Sequence, residues 1–253
     1  RLLLLGDPQQ LPQVSQGTHP EPVDISALGW IMGEDSVLDP QFGRFLAQTR
    51  RMHPEVAVPV SHLAYAGRLE AHPSAAMRAI EGCAPGLHVR PMAHRGNATF
   101  SLEEAGEVVR LVRDLLGRAV TDIEWHDDGS ARALEPRELT QADIIVVTPY
   151  NAQQQTVHEA LAAAGFAEVR VGTVDKFQGQ EALVSIVSLA ASGARDAPRG
   201  PEFLLLQNRL NVAISRAKVA SFLIYSPGLL DDLPHTPEGV ARLSAFARLV
   251  GVA

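Results

Sequence analysis

The sequence has one cysteine and no long apolar run. The single thiol of Cys83 excludes an intramolecular disulfide and a cysteine-based zinc site, so we expect a reducing compartment and a cytoplasmic protein. The apolar run near the start, 2–5, has four residues, whereas a bilayer span needs roughly 20. The sequence therefore predicts no membrane segment and no membrane partner.

Positive charge is also scarce. Lys and Arg total 22 against 29 Asp and Glu, which gives a formal net charge of −7. Because nucleic-acid binding needs clustered Lys and Arg, this balance argues against a surface that wraps nucleic acid all round, although local clusters stay compatible with it. The nine histidines form no metal-binding pattern, and His126-Asp127-Asp128 is interpreted as a turn, so no metal site is predicted.

Apolar residues, by contrast, make up 46% of the 253 residues, enough for a substantial core. From residue 143 onward, predicted strands at 144–147, 169–171, 183–189 and 221–225 are joined by predicted helices at 152–164 and 204–215. Alternation of this kind indicates right-handed βαβ units, a parallel sheet and an α/β fold.

The first half of the chain gives a looser pattern. Leu2 to Leu5 predict a strand buried on both faces that ends in polar residues, and a start in mid-strand suggests a piece of a longer protein. A connector with a small helix at 27–32 is expected over 15–40, with a domain boundary near its end. A strand is predicted at 42–49, helices at 55–66 and after the capping-box pattern of 101–104, and a hairpin at 122–136.

Four polar segments lie at the ends of predicted strands, at 6–12, 148–153, 173–181 and 208–218, and a fifth, 49–54, precedes the first long helix. Because the carboxyl ends of parallel strands share one edge, residues of several segments are expected to converge on one ligand.

Each segment has an ordinary and a functional interpretation. Residues 7–10 form either a turn or a sensor in which the Gln10 amide registers a phosphate oxygen. Arg51 and Arg216 are either solvated or act as phosphate clamps. The run 173–181 is either a plain connection with a turn at Gly179 or a place where backbone N–H groups approach phosphates or a ribose.

The order of these segments resembles the superfamily 1 helicases, in the branch of the RNA-surveillance helicase and the nuclease-helicases. GDPQQLPQV is similar to motif III, TRRMHPEV to motif IV, VVTPYNAQ to the segment after it, VGTVDKFQGQE to motif V and NRLNVAISRAK to motif VI. The stretch GTHPEPV resembles bacterial proteins in which a RecB-like nuclease region precedes such a helicase.

The resemblance implies a RecA-like, P-loop NTPase-type fold. Residues 1–40 would be the end of the first RecA-like domain, with motif III, and residues 41–253 the second domain. No GxxxxGK[ST] occurs in the sequence, so the motifs that hold ATP and Mg would lie upstream in the N-terminal RecA-like domain, a partner of this chain. We therefore expect no ATPase activity from this chain alone.

The resemblance also implies residue roles. Gln10 would sense the γ-phosphate, and Arg51 and Arg216 would be arginine fingers, which are worth about 10³ to 10⁵ in rate in GTPases. Gly179 and Glu181 would lie at the nucleotide, Glu181 on the ribose. The single-strand groove would be lined by Thr148, Pro149, Thr173 and Gln178, with Gln178 and Gly179 linking the two sites.

The track implied is a single strand, DNA rather than RNA, with 5′ to 3′ movement. One departure concerns Arg50, which stands where the family usually has a Tyr, often placed near the nucleotide base. Two other classes compete with the motor: a non-catalytic nucleic-acid-binding module, and a small-molecule α/β enzyme, which would need a nucleophile–base pair or a phosphate loop.

Overall fold

The computed structural model describes residues 2–11, 20, 23, 25–33 and 35–252, apart from the side chains of Pro201 and Glu202. The described helices are α1 Ala27–Met32, α2 Pro54–Ala64, α3 Leu102–Leu115, α4 Asn151–Ala163, α5 Pro201–Leu204, α6 Gln207–Ile214 and α7 Pro237–Leu249. The described strands are β1 Gln48–Thr49, β2 Glu70–Ala71, β3 Ala79–Ile80, β4 Gly86–Pro91, β5 Ala119–Thr121, β6 Ile123–Trp125, β7 Ala131–Ala133, β8 Arg137–Glu138, β9 Ile144–Thr148, β10 Arg170–Thr173, β11 Ala182–Ser188 and β12 Ala217–Tyr225.

A five-stranded sheet in the order β10-β9-β11-β12-β4 forms the centre of the fold, and every neighbouring pair is parallel. Every residue of β9 and β11 is buried, as expected for strands covered by helices on both faces. The predicted α/β fold with a parallel sheet is confirmed.

Alternate residues of each strand face different cores, which makes three layers. Ile145 and Val147 of β9 pack with α2, α6 and α7, whereas Ile144 and Val146 pack with α3 and α4. Helix α3 begins as predicted, because the Ser101 hydroxyl accepts the Glu104 N–H at 3.1 Å. The β6–β7 hairpin and the short helix α1 are confirmed as well.

Three predicted elements differ from the structure. Leu2 to Leu5 form no strand, and Leu2, Leu3 and Leu5 are exposed, because no strand of the described residues lies beside them to pair with their backbone. The strand predicted at 42–49 is reduced to β1, since Phe42 and Leu46 face solvent instead of a second layer.

The helix predicted at 204–215 is two helices, α5 and α6. Leu204 and Leu205 at the break between them are both buried in the same core. Of the connector predicted over 15–40, residues 15–19, 21, 22, 24 and 34, which include most of GTHPEPV, lie outside the described residues. The domain boundary near residue 40 stays a prediction.

Candidate functional site

Two opposite edges of the central sheet carry the residues of interest. At the amino edge, where the strands begin, Glu181 directly precedes β11 and Arg216 directly precedes the neighbouring β12. At the carboxyl edge, where they end, Thr148 and Thr173 are paired at the ends of β9 and β10. Residues of several polar segments do meet, but Arg51, Glu181 and Ser215, next to Arg216, do so at the amino edge, because Glu181 and Arg216 precede their strands instead of following them.

At the amino edge, Arg51, Glu181 and Lys218 form a chain of ion pairs. Arg51 Nε lies 3.0 Å from one Glu181 carboxylate oxygen, and Lys218 Nζ lies 3.0 Å from the other. Arg51 also donates to the carbonyl of Ser215 at 3.3 Å, next to Arg216. Burial would raise the pKa of Glu181, but Lys218 and Arg51 hold it below its ordinary value. The carboxylate is therefore ionised at neutral pH, with each oxygen paired to a cation.

Arg216 is buried at the same edge, with 1% of its surface exposed. Its guanidinium donates to the carbonyls of Val212 at 3.0 Å and Gln180 at 3.1 Å, and no carboxylate of the described residues lies within ion-pair distance. Burial, and next the charge of Arg51, lower its pKa to about 10. A buried cation without a counter-ion gains most from an arriving anion.

Gln10 belongs to a loop that is fixed against helices α2 and α6. Its Nε2 donates to Asp7 Oδ2 at 2.8 Å, and the hydroxyl of Tyr65 donates to the same oxygen at 2.6 Å. Asn211 of α6 donates to the carbonyl of Gln9 at 2.8 Å and to the Tyr65 hydroxyl at 3.0 Å. Burial, and then the bond to Asp7, raise the pKa of Tyr65, which keeps this donor protonated. The loop thus rests on the helix that ends just before Arg216.

Behind Arg51 lies a second set of charges that sequence reasoning missed. Asp122 accepts from Arg78 Nε at 2.8 Å and lies 3.2 Å from Lys218 Nζ. Arg78, itself buried, also donates to the carbonyls of Arg50 and Arg51 at 3.1 and 2.7 Å. These contacts fix the backbone that carries the two arginines.

Arg50 takes part in a stacked arrangement instead of supplying an aromatic ring. Its guanidinium lies 4.9 Å from the ring centroid of Trp125 in the β6–β7 hairpin, and the His72 ring meets the same indole edge-on at 4.9 Å. The aromatic ring beside Arg50 therefore comes from a different part of the chain. No signal in the sequence linked Trp125 to this position.

At the carboxyl edge, Thr148 is buried, and its hydroxyl donates to the Tyr150 carbonyl at 3.1 Å, within the turn after β9. Pro149 and Thr173 are partly exposed. After Thr173 the chain makes one 3₁₀ turn over Val174–Phe177 and returns to the amino edge at Glu181. Gln178 and Gly179 are exposed on this return, where Gly179 has φ +79°. The segment 173–181 thus joins the two edges directly.

A family model described as an AAA domain matches residues 34–227. The chain belongs to this family. Parts of the AAA domain are similar to helicases: to the RNA helicase Mov10l1 of Mus musculus, with 31% identity over 139 residues, and to the DNA polymerase alpha-associated DNA helicase A of Schizosaccharomyces pombe, with 46% over 96 residues. A third relative is the 3′-5′ exoribonuclease HELZ2 of Homo sapiens, with 34% over 149 residues.

The alignment with Mov10l1 covers 54% of this chain and 10% of the relative, and the alignment with the DNA helicase covers 38% and 13%. The alignment with HELZ2 covers 54% of this chain and 4% of the relative. The chain thus spans a small part of each relative's length. Together with the family match they identify it as a superfamily 1 helicase domain. None of these three relatives is bacterial, so they give no support to the resemblance to a bacterial nuclease fusion.

A buried polar network at the carboxyl edge of the AAA domain was also missed. Glu104, fully buried, accepts from the Ser188 hydroxyl at 2.6 Å and the Ala190 N–H at 2.9 Å, and lies 3.1 Å from His94 Nε2. In a capping box the Glu104 side chain would accept the backbone N–H of Ser101. In the structure the side chain of Gln153 accepts this N–H instead, at 2.8 Å. The network holds the loop after β11, where Ala190 has φ +67°.

In the part of the chain that the structure describes, every helix is too short or too polar to cross a bilayer. Within the same residues, no group of three or more His, Cys, Asp and Glu side chains is arranged to hold a metal ion.

Proposed function

We propose that this chain is the C-terminal motor half of an ATP-dependent superfamily 1 helicase, with residues 1–40 closing a first RecA-like domain and residues 41–253 forming the second. The observation that carries the proposal is the arrangement of Arg51, Glu181 and Arg216 around one edge of the sheet. Three cationic side chains there, Arg51, Lys218 and Arg216, fit the phosphates of ATP.

The donor set also indicates what this chain would not hold by itself. Mg²⁺ prefers carboxylate and water oxygens in octahedral geometry. At the amino edge the carboxylate of Glu181 is already paired with Arg51 and Lys218. We therefore place the metal ligands and the Walker A loop in an N-terminal RecA-like domain, with this chain facing the phosphates from the other side.

The residues act by position and charge. Arg51 neutralises charge on the transferring phosphoryl group, and Arg216 does so after turning its guanidinium from the carbonyls of Val212 and Gln180 toward the phosphate. Glu181 accepts the ribose hydroxyls. Gln10, attached to α6 through Gln9 and Tyr65, registers the γ-phosphate next to the helix that ends before Arg216.

The strand is proposed to bind at the opposite, carboxyl edge, along Thr148, Pro149 and Thr173. Movement would pass between the edges through 173–181, with Gln178 on the strand side and Gly179 on the nucleotide side. We propose single-stranded DNA as the track, since the aligned relative with 46% identity is named a DNA helicase. The proposed 5′ to 3′ direction of movement rests on the resemblance to the branch of the RNA-surveillance helicase.

The test uses a longer protein that contains this chain and a Walker A motif. Arg51→Ala and Arg216→Ala should each lower single-turnover ATP hydrolysis by about 10³-fold or more, with a smaller change in nucleotide affinity, and Lys should rescue neither. Arg110→Ala is the matched control, because Arg110 lies on the exposed face of α3 and, among the residues that the structure describes, pairs with Glu107 and Asp114 only. An unchanged rate for both finger variants contradicts the proposal.

The 253-residue chain alone provides a second measurement. Because it lacks a Walker A motif, a malachite-green assay should detect no phosphate release with or without single-stranded DNA. Turnover that survives repurification would show a self-contained nucleotide site instead.

A further inference from the structure

The buried network around Glu104 ends in a serine hydroxyl that the motor does not use. His94 joins the two, because its Nε2 lies 3.1 Å from Glu104 Oε1 and its Nδ1 lies 2.7 Å from Ser192 Oγ. Glu104 is fully buried, and the exposed fractions of His94 and Ser192 are 9% and 4%. A serine, a histidine and a carboxylate thus form one continuous chain of hydrogen bonds.

The directions of these hydrogen bonds follow from the groups around the imidazole. The Glu104 carboxylate can only accept, so the proton of the neutral ring is on His94 Nε2. Nδ1 is then an acceptor, and the Asn97 side-chain amide also points its nitrogen at Nδ1, at 3.1 Å. The Ser192 hydroxyl therefore donates to Nδ1, as a serine does when a general base activates it.

Two backbone N–H groups complete the surroundings of Ser192. The Asn97 N–H donates to Ser192 Oγ at 2.9 Å, and so it stabilises this oxygen when the proton leaves. The N–H of Gly193, the next residue, makes no backbone hydrogen bond with the residues that the structure describes. In α/β-hydrolases the N–H of the residue after the nucleophile donates to the oxyanion of the tetrahedral intermediate. The Gly193 N–H can do the same here.

Ser192 and His94 border a cavity of about 800 Å³ at the carboxyl edge of the sheet. Its walls come from the loops after β4, β11 and β12. Gly228 belongs to one of these loops, and a side chain there would collide with the Ser192 carbonyl oxygen. Pockets that hold small molecules measure about 300–1,000 Å³, so the cavity has room for a substrate next to the serine.

The charges that border the cavity nearly cancel. Arg95 and Arg195 stand with the carboxylates of Asp196, Asp231 and Asp232, and Arg195 lies 2.9 Å from Asp232. Because neither sign dominates, the cavity suits a small neutral molecule better than a phosphate or a polyanion.

We propose that Ser192, His94 and Glu104 form a second catalytic site, which hydrolyses small neutral carboxylic esters. Ser192 Oγ attacks the carbonyl carbon while its proton passes to His94 Nδ1, and the Gly193 N–H donates to the oxygen that becomes negative. The alcohol then leaves with the proton from His94. Glu104 holds the imidazole in the required tautomer and stabilises its charged form.

A water molecule completes the reaction. The same imidazole nitrogen takes a proton from the water, which attacks the acyl–Ser192 ester. The carboxylic acid leaves, and the proton on His94 returns to Ser192 Oγ. The reaction needs neither ATP nor a strand, so it is independent of the proposed motor. The sequence gave no indication of it, because Ser192 and His94 are 98 residues apart.

The test treats the 253-residue chain with a fluorophosphonate probe, which forms a phosphonate ester with an activated serine and releases fluoride. The intact mass should show one adduct, and tandem mass spectrometry of the peptides should place it on Ser192. Ser192→Ala should form no adduct, and His94→Gln should react about 10²-fold or more slowly because the base is lost. Ser130→Ala is the matched control and should react like the unaltered chain, since the exposed Ser130 hydroxyl bonds to Asp128 in the β6–β7 turn.

Hydrolysis of p-nitrophenyl acetate is the second readout. Treatment of the unaltered chain with the probe should abolish it, and thermal unfolding by circular dichroism establishes that both site variants are folded. The position of the adduct in the unaltered chain decides the matter even if a variant does not fold. The site is overturned if the probe does not react, if the adduct lies on another residue, or if folded His94→Gln reacts as fast as the unaltered chain.

Discussion

Arg216 and Arg78 are both buried, but among the described residues only Arg78 has a carboxylate partner. This difference predicts opposite effects of the same substitution. A guanidinium whose pKa falls from 12.5 to about 10 is destabilised in its charged form by about 3 kcal/mol. Because the folded-state pKa is the lower one, this penalty is fully present below pH 10. It disappears only as the pH rises from about 10 toward 12.5.

Arg216→Met removes that penalty and keeps most of the side-chain volume. It also removes the hydrogen bonds to the carbonyls of Val212 and Gln180, each with a net value of about 1 kcal/mol. The expected change in the free energy of unfolding at pH 7 is therefore between zero and a gain of about 1 kcal/mol. Each kcal/mol corresponds to about 2–4 °C in a chain of this size.

The matched control is Arg78→Met. It leaves the Asp122 carboxylate with Lys218 and the Ile123 N–H and frees the carbonyls of Arg50 and Arg51, so a loss of about 3–5 kcal/mol is expected. Thermal unfolding followed by circular dichroism compares the two variants with the unaltered chain. If Arg216→Met unfolds as early as Arg78→Met, the view of Arg216 as a destabilising buried charge is refuted.

Three further predictions concern stability. Glu104→Gln should lower the free energy of unfolding by about 3–5 kcal/mol in urea titrations, because a buried carboxylate that accepts from Ser188 and Ala190 loses its charge. The control, Glu103→Gln on the exposed side of α3, should change the free energy of unfolding by about 1 kcal/mol at most. Equal effects of the two substitutions would contradict this prediction. Ala190→Gly should stabilise the fold by about 1 kcal/mol, because Ala190 has a φ of +67°, which is strained for a residue with a side chain. Ala191→Gly should give no such gain. The same urea titration checks both variants, and a loss of stability in both would refute backbone strain at Ala190. Burial would raise the pKa of Asp122, but Arg78, the Ile123 N–H and Lys218 lower it. The ionised Asp122 therefore stabilises the fold above about pH 4, and this stabilisation is lost as the pH falls through the folded-state pKa. The difference in stability between the unaltered chain and Asp122→Asn should shrink over that fall in pH, and a difference independent of pH would rule this out.

The central architecture could be predicted from the sequence because it follows from local patterns. The run Ile144–Val147 is entirely apolar, and Ala182–Ser188 is apolar except for two serines, as expected for strands covered on both faces. Helix α3 is preceded by a clear N-cap at Ser101, and the hairpin has Asp-Asp-Gly at its turn. In each of these elements local propensity and tertiary packing favour the same structure.

The start of β12 could not be predicted, although Arg216 precedes the strand, and so lies at the amino edge, with the predicted start as well as with the observed one. Ser215, Arg216 and Lys218 interrupt the apolar pattern, so the strand was expected at Ser221, although it starts at Ala217. The inward turn of Glu104 was hidden because the same residue completes a capping-box pattern. Contacts such as Arg50 with Trp125 join distant segments and leave no periodic signal.

Strand β4 pairs only with β12 in the central sheet, and Gly86 of β4 lies opposite Ala220. The partner residue in β12 is therefore made 134 residues after Gly86 of β4. Ribosomes add about 5–20 residues per second, so β4 waits roughly 7–27 s for its partner during synthesis. Throughout that interval its backbone N–H and C=O groups form an open strand edge, the kind of surface that pairs with other chains and that chaperones shield. Because β4 stays unpaired for this time, the fold is at greater risk of aggregation during synthesis than in the finished protein.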